Sequence, residues 1–169
     1  MNRQIVKNLL ESISSVIIGQ EETIQKLLAC TLAEGHALLE GPPGVGKTTL
    51  AKVLSICLGG AFRRIQMTPD LLPSDIIGSS YFDVKEGVFK IRQGPIFANV
   101  LLIDELNRAS PRTQSALLEA MQERQATIEG NTFSLPRPFI IIATQGPSAI
   151  AGTFPLTEVQ LDRFAMKLI

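Results

Sequence analysis

The spacing of apolar residues changes repeatedly along this chain, and each change predicts an element. Ile5, Leu9, Leu10 and Ile13 recur at helical intervals and predict a helix over residues 2–16; after the break at Ile17-Ile18-Gly19 a second helix is expected over 21–33, ended by Gly35. His36 to Glu40 reads as a short apolar strand, residues 41–46 as a loop carrying glycine and proline, and Lys47 to Leu58 as a helix closed by Gly59-Gly60. A second strand is expected over Phe62 to Gln66 and a helical turn over Pro69 to Ile76. Two β-like segments follow, Ser80 to Asp83 and Gly87 to Ile91, which form a hairpin turning at 84–87. Asn99 to Ile103 runs unbroken into Asp104-Glu105. Ser110 can then cap a helix that has Pro111 at its first position and Ala116, Leu117, Ala120 and Met121 on its apolar face. Residues 126–135 read as a short excursion without an assigned element. Phe139 to Thr144 is another strand, Thr157-x-x-Gln160 is a capping box for a short helix ending near Phe164, and Lys167-Leu168-Ile169 opens a fifth strand.

Strands that are apolar throughout, rather than alternating, belong to a parallel sheet covered on both faces. Their alternation with helices predicts an α/β fold, a three-layer αβα domain with right-handed crossovers, and ligands at the carboxyl ends of the strands. The 41–46 loop and the Asp104-Glu105 pair both fall at that edge. The 169 residues fit one domain, with the helices of 2–33 leading into a core of 36–169. Sixteen Lys plus Arg against sixteen Asp plus Glu leave no global positive field, so nucleic acid is not the expected partner. No apolar run reaches the roughly 18 residues that a membrane span requires, and the polar, amphipathic start is unlike a signal, so a cytoplasmic location is expected. A chain that stops as a strand begins reads as a piece of a longer protein. Cys30, Cys57 and His36 lack partners at metal-ligand or disulfide spacing and are read as structural residues.

Two motifs carry chemistry. Gly41, Pro42, Pro43, Gly44, Val45, Gly46, Lys47 and Thr48 fit G-x-x-x-x-G-K-[ST], the P-loop, between a strand and a helix. Its glycines let backbone N–H groups curl around a β-phosphate, Lys47 reaches the β- and γ-phosphates, and the Thr48 hydroxyl is a magnesium ligand; Thr49 completes the candidate cradle. Val100 to Glu105 supplies the second half, an apolar strand delivering Asp104 to magnesium and Glu105 to a water that attacks the γ-phosphate. The expected ligands are therefore ATP or ADP with Mg2+. GTP is disfavoured, since no Asn-Lys-x-Asp segment is present.

These residues, together with Gly19-Gln20-Glu21, the run Gln66 to Asp75, Gly94 to Asn99, Asp104 to Ala109, Gln114 to Gln125 and Leu161-Asp162-Arg163-Phe164, resemble the MoxR family of AAA+ ATPases over nearly the whole chain. The resemblance implies an AAA+ large domain with ATP at a subunit boundary and a homo-oligomeric ring, a hexamer in the family. It further implies that the hairpin near residues 80–91 is the insertion into helix 2 that faces the ring pore, and that Ile17, Ile18, Gly19 and Gln20 lie where the family packs adenine. Arg163 matches the arginine finger that reaches a neighbour's ATP, with Arg108 and Arg112 as rivals for contacts across the interface. Protein partners, among them von Willebrand factor A domain proteins, are part of the same implication.

Two departures qualify it. Where the family reads Ala-Thr-Gln-Asn-Pro, with the Asn orienting the attacking water, this chain reads Ala143-Thr144-Gln145-Gly146-Pro147, so Thr144 or Gln145 must substitute or turnover is slow. The helical lid domain that the family carries would lie beyond Ile169. The alternatives to a hydrolysing motor are thus a nucleotide-gated binding module with little turnover, or a magnesium-chelatase-like ATPase subunit.

Overall fold

A computed structural model describes residues 3–41, 44–145 and 152–169. The first two helices, α1 (Arg3–Ser14) and α2 (Glu21–Leu32), precede β1 (Ala37–Glu40) and α3 (Lys47–Cys57). Next come β2 (Phe62–Gln66), α4 (Pro73–Ile77), β3 (Gly78–Asp83), β4 (Val88–Gln93) and β5 (Val100–Asp104). The remainder is α5 (Pro111–Glu123), β6 (Gln125–Ile128), β7 (Asn131–Ser134), β8 (Ile140–Gln145), α6 (Glu158–Leu161) and β9 (Met166–Leu168).

Five strands form one sheet in the order β2-β5-β8-β1-β9, and every pair in it is parallel. Successive residues on a strand face opposite sides, so an apolar strand feeds two cores. Leu101 and Ile103 pack with Ile76, Ile96, Leu117 and Met121 on the α4–α5 side, while Val100 and Leu102 pack with Leu50, Leu54, Ile24 and Leu28 on the side of α2 and α3. This is the three-layer α/β domain that the unbroken strands predict.

The helix ends follow the capping signals. Ser110 Oγ accepts from Thr113 N–H at 3.3 Å at the start of α5, and the Thr157–Gln160 box closes reciprocally, with Thr157 N–H donating to Gln160 Oε1 at 2.8 Å. The anticipated hairpin forms as β3 and β4, paired from Gly78↔Gln93 to Asp83↔Val88. It follows α4 without a gap, and the returning chain donates from Gly94 and Ile96 N–H to the carbonyls of Ile77 and Ile76.

The excursion over 126–135, for which the sequence predicts no element, contains a second hairpin, β6–β7. Ala126 and Ile128 alternate inward, and Glu129 (φ 48°) and Gly130 (φ 78°) supply the two positive φ values of a two-residue hairpin turn. Cys30 is buried and Cys57 half-buried; both are free thiols, and burial pushes the Cys30 thiol up to about 11. Among the described residues, no helix is long and apolar enough to cross a membrane.

Candidate nucleotide site

The strand order brings the two motifs together. β8 lies between β1 and β5, with Leu39 level with Thr144 and Ile103 level with Ala143, so the loop after β1 and the acids after β5 flank the end of β8. On the loop side, Gly44 (φ 86°) and Gly46 (φ 89°) hold left-handed backbone, and a Cβ on either would meet no atom within 4 Å. Their requirement for glycine is therefore conformational, and the space in front of them is open, as a backbone that approaches a phosphate requires. Lys47 Nζ donates to Gly41 O at 2.7 Å, bringing the ammonium back across the loop. Thr48 is half-buried and Thr49 exposed in the first turn of α3; Pro42 and Pro43 lie outside the described residues.

A cleft of about 250 Å³ opens beside the loop, lined by Gln20, Thr23, Gly41, Val45, Lys47 and Leu168 among others. Gln20 Nε2 donates to Val45 O at 2.8 Å and so ties the start of α2 to the loop. The four residues placed at the adenine separate here: Ile18 is 88% exposed, Gly19 has φ 78°, Gln20 lines the cleft, and Ile17 is 9% exposed with its side chain in the core beside Ile13 and Ile24.

The acidic side is knit by side chains. Asp104 is 8% exposed; its Oδ1 accepts from the Thr144 hydroxyl at 3.3 Å and its Oδ2 from Arg64 Nε at 2.6 Å. Glu105 has φ 56°, unusual for a side-chain-bearing residue, and its N–H donates to Thr144 Oγ1 at 2.9 Å. Its Oε2 accepts from Gln66 Nε2 at 3.1 Å and pairs with Arg108 Nη1 at 3.0 Å. Thr144 thus contacts both acids. Gly146 lies outside the described residues.

Sequence reasoning missed Arg64 and Gln66. Both lie on β2, which pairs with β5 so that Gln66 is level with Asp104. Residues so far apart in the chain give no local signal of that adjacency. Arg108, considered for an interface, pairs with Glu105 of its own chain. Arg112 is exposed and Arg163 half-buried, and neither makes a side-chain hydrogen bond or ion pair among the described residues.

The donor set suits magnesium: a carboxylate and a hydroxyl are hard oxygen donors, and this ion takes one or two protein ligands with the rest supplied by phosphates and water. No group of three or more His, Cys, Asp or Glu that could form an all-protein metal cage occurs among the described residues. Asp104 and Thr48 would hold the ion, which when bound neutralises charge on the phosphates. Such a site defines a P-loop nucleoside-triphosphatase domain.

Comparison with known proteins narrows that class. Residues 36–166 match the ATPase family associated with various cellular activities (AAA). The chain is 51% identical over 159 residues to the uncharacterized protein YeaC of Bacillus subtilis, covering 94% of this chain and 50% of that protein. It is 47% identical over 156 residues to Chaperone MoxR1 of Mycobacterium tuberculosis, covering 92% and 41%. A crystal structure of a protein provisionally assigned as an ATPase, from Cytophaga hutchinsonii, superposes with a TM-score of 0.88 at 45% identity, over 98% of this chain and 50% of that one. The chain belongs to the MoxR family of AAA+ ATPases. It spans about half the length of the curated relatives it matches.

Proposed function

We propose that this domain binds magnesium-ATP at the loop after β1 and hydrolyses it as the motor unit of a homo-oligomeric ring. The observation that carries this reading is the placement of the Lys47 loop and the Asp104-Glu105 pair on either side of the end of β8. Glu105 is the base or water-orienting residue: both contacts of its carboxylate fall on Oε2, which leaves Oε1 without a protein partner among the described residues. Lys47 and the N–H groups at the start of α3 bind phosphate, with Gly41, Pro42, Pro43, Gly44, Val45, Gly46 and Thr49 forming the cradle. Ile18, Gly19 and Gln20 border the base, and Ile17 supports them from the core.

Arg163 acts on a neighbouring subunit's nucleotide. The absence of an intrachain ion pair at this half-buried guanidinium, among the described residues, supports that role. Fingers of this kind contribute about 10³ to 10⁵ in rate, so a dilute chain turns ATP over slowly. The name of the relative Chaperone MoxR1 supports chaperone-like work on protein partners.

The test is magnesium-dependent phosphate release against protein concentration, with Glu105→Gln as a variant that binds ATP but does not turn it over. Specific activity is expected to rise with concentration in the parent and to fall about 10²- to 10³-fold in Glu105→Gln. Tight binding without release at any concentration would instead favour the nucleotide-gated module, the reading that Gly146 supports in the sequence.

A further inference from the structure

β2 is an edge strand of the sheet, and it directs two polar side chains at Asp104, the last residue of β5, and at Glu105 just after it. One of them, Arg64, has its Nε 2.6 Å from Asp104 Oδ2. The two side chains differ in accessibility: Arg64 is 50% exposed and Asp104 12%. No other hydrogen bond or ion pair of the guanidinium is present among the described residues. One end of this pair is fixed in the sheet, and the other stands at the edge with room to leave.

A carboxylate has two oxygens and about four lone-pair directions. Here one oxygen serves the Thr144 hydroxyl and the other a guanidinium. A magnesium ion, or the waters it carries, needs a share of the same oxygens and of the same negative charge, and two cations sharing one carboxylate repel each other.

We infer that Arg64 is a displaceable counter-cation that sets the magnesium affinity of Asp104. It holds the carboxylate charge balanced and aligned, and it must swing outward as magnesium takes its place, so the pair weakens metal binding. Nucleotide binding without metal does not pass through this carboxylate. The inference rests on the reading of Asp104 as a magnesium ligand and extends it to a residue for which the P-loop pattern has no position.

The test uses the full chain, a fluorescent ATP analogue and two titrations: nucleotide in EDTA, and Mg2+ at fixed nucleotide. Arg64→Gln is expected to leave the affinity in EDTA within about twofold, and to lower the half-saturating Mg2+ concentration about 3- to 10-fold, the scale of a half-exposed ion pair. Arg64→Lys, which keeps the charge, is expected to stay near the parent value, and its EDTA titration doubles as a check on folding. No shift in Arg64→Gln, an equal shift in Arg64→Lys, or a rise in the Mg2+ requirement overturns the inference, the last by making Arg64 a positioning residue for the metal. If the parent chain binds nucleotide but shows no magnesium effect, the assignment of Asp104 fails first, and that outcome is distinguishable because it appears without any substitution.

Discussion

The two ends of the central sheet are both polar, and they are polar in different ways. At the carboxyl end, Asp104, Glu105, Thr144, Gln66, Arg64 and Arg108 bond chiefly to one another's side chains. At the amino end, His36 and Arg124 bond mostly to backbone. His36 Nδ1 accepts from Ile141 N–H at 2.9 Å, and its Nε2 lies 3.1 Å from the Met121 carbonyl and 2.6 Å from Arg124 Nη1. Arg124, beside that ring, donates to the carbonyls of Phe139 and Glu34. A carbonyl or amide fixed in a strand has no alternative conformation to offer, so a network built on it is a clasp. Side chains bonded to side chains can exchange partners, as the proposed binding of metal and nucleotide at this end requires. Buried polarity alone does not mark function; exchangeable partners near an open surface do.

Lys47→Ala sharpens this difference most. On the proposed reading the lysine makes charge-assisted bonds to two phosphates, so its loss is expected to weaken ATP binding about 10²- to 10³-fold. The fold should tolerate it, because the Gly41 carbonyl it leaves is exposed to water, and the melting temperature should stay within a few degrees. Nucleotide titration and thermal unfolding on the same sample check both halves. A variant that lost stability instead would place Lys47 among the clasps.

His36 provides the converse test, through pH. Burial, with Arg124 beside it, lowers its pKa from 6.5 to about 4. Above pH 6.5 the ring is neutral in both folded and unfolded chains and costs nothing. As pH falls from 6.5 towards 4 the unfolded chain takes up a proton that the folded chain refuses, and stability drops by up to about 3 kcal/mol. Denaturant unfolding of the parent and of His36→Gln between pH 7.5 and 4.5 should show the parent losing more stability. Nucleotide affinity at neutral pH should be equal in the two, since the ring lies at the far end of the strands from the loop.

How far the sequence foretells each end depends on the range of the interaction. The glycine loop and the capping boxes are contiguous signals: Gly44, Gly46 and Lys47 act within one turn of chain, and Thr157 and Gln160 are three residues apart. The unbroken run Val100–Ile103 predicts a strand covered on both faces because burial on both sides leaves no polar face to alternate. The β6–β7 hairpin went unassigned because its turn rests on Glu129 in a left-handed conformation, which the residue type does not advertise. Arg64 and Gln66 could not be read as site residues for a different reason: their partners are about forty positions away, and only the register of β2 against β5 brings them level. Ile17 and Ile18 show the same limit at one residue's resolution, since neighbours of identical composition take opposite fates, core and surface.

Thr144 stands where the comparison is least clear-cut, because it is buried like a clasp and yet bonds both acids. Thr144→Val keeps the shape and removes the hydroxyl. The Glu105 N–H then lacks its acceptor, a loss of about 1 to 2 kcal/mol in stability, and Glu105, held at φ 56°, loses the contact that fixes its backbone. If Glu105 is the base proposed above, its displacement by a fraction of an ångström costs turnover more than binding. We therefore expect phosphate release to fall about tenfold with ATP affinity within about threefold, and Thr144→Ser, which restores the hydroxyl, to recover most of the rate. Equal losses in the serine and valine variants would make the methyl packing, rather than the hydroxyl bridge, the contribution of this residue, and would move Thr144 from the exchangeable end of the sheet to the fixed one.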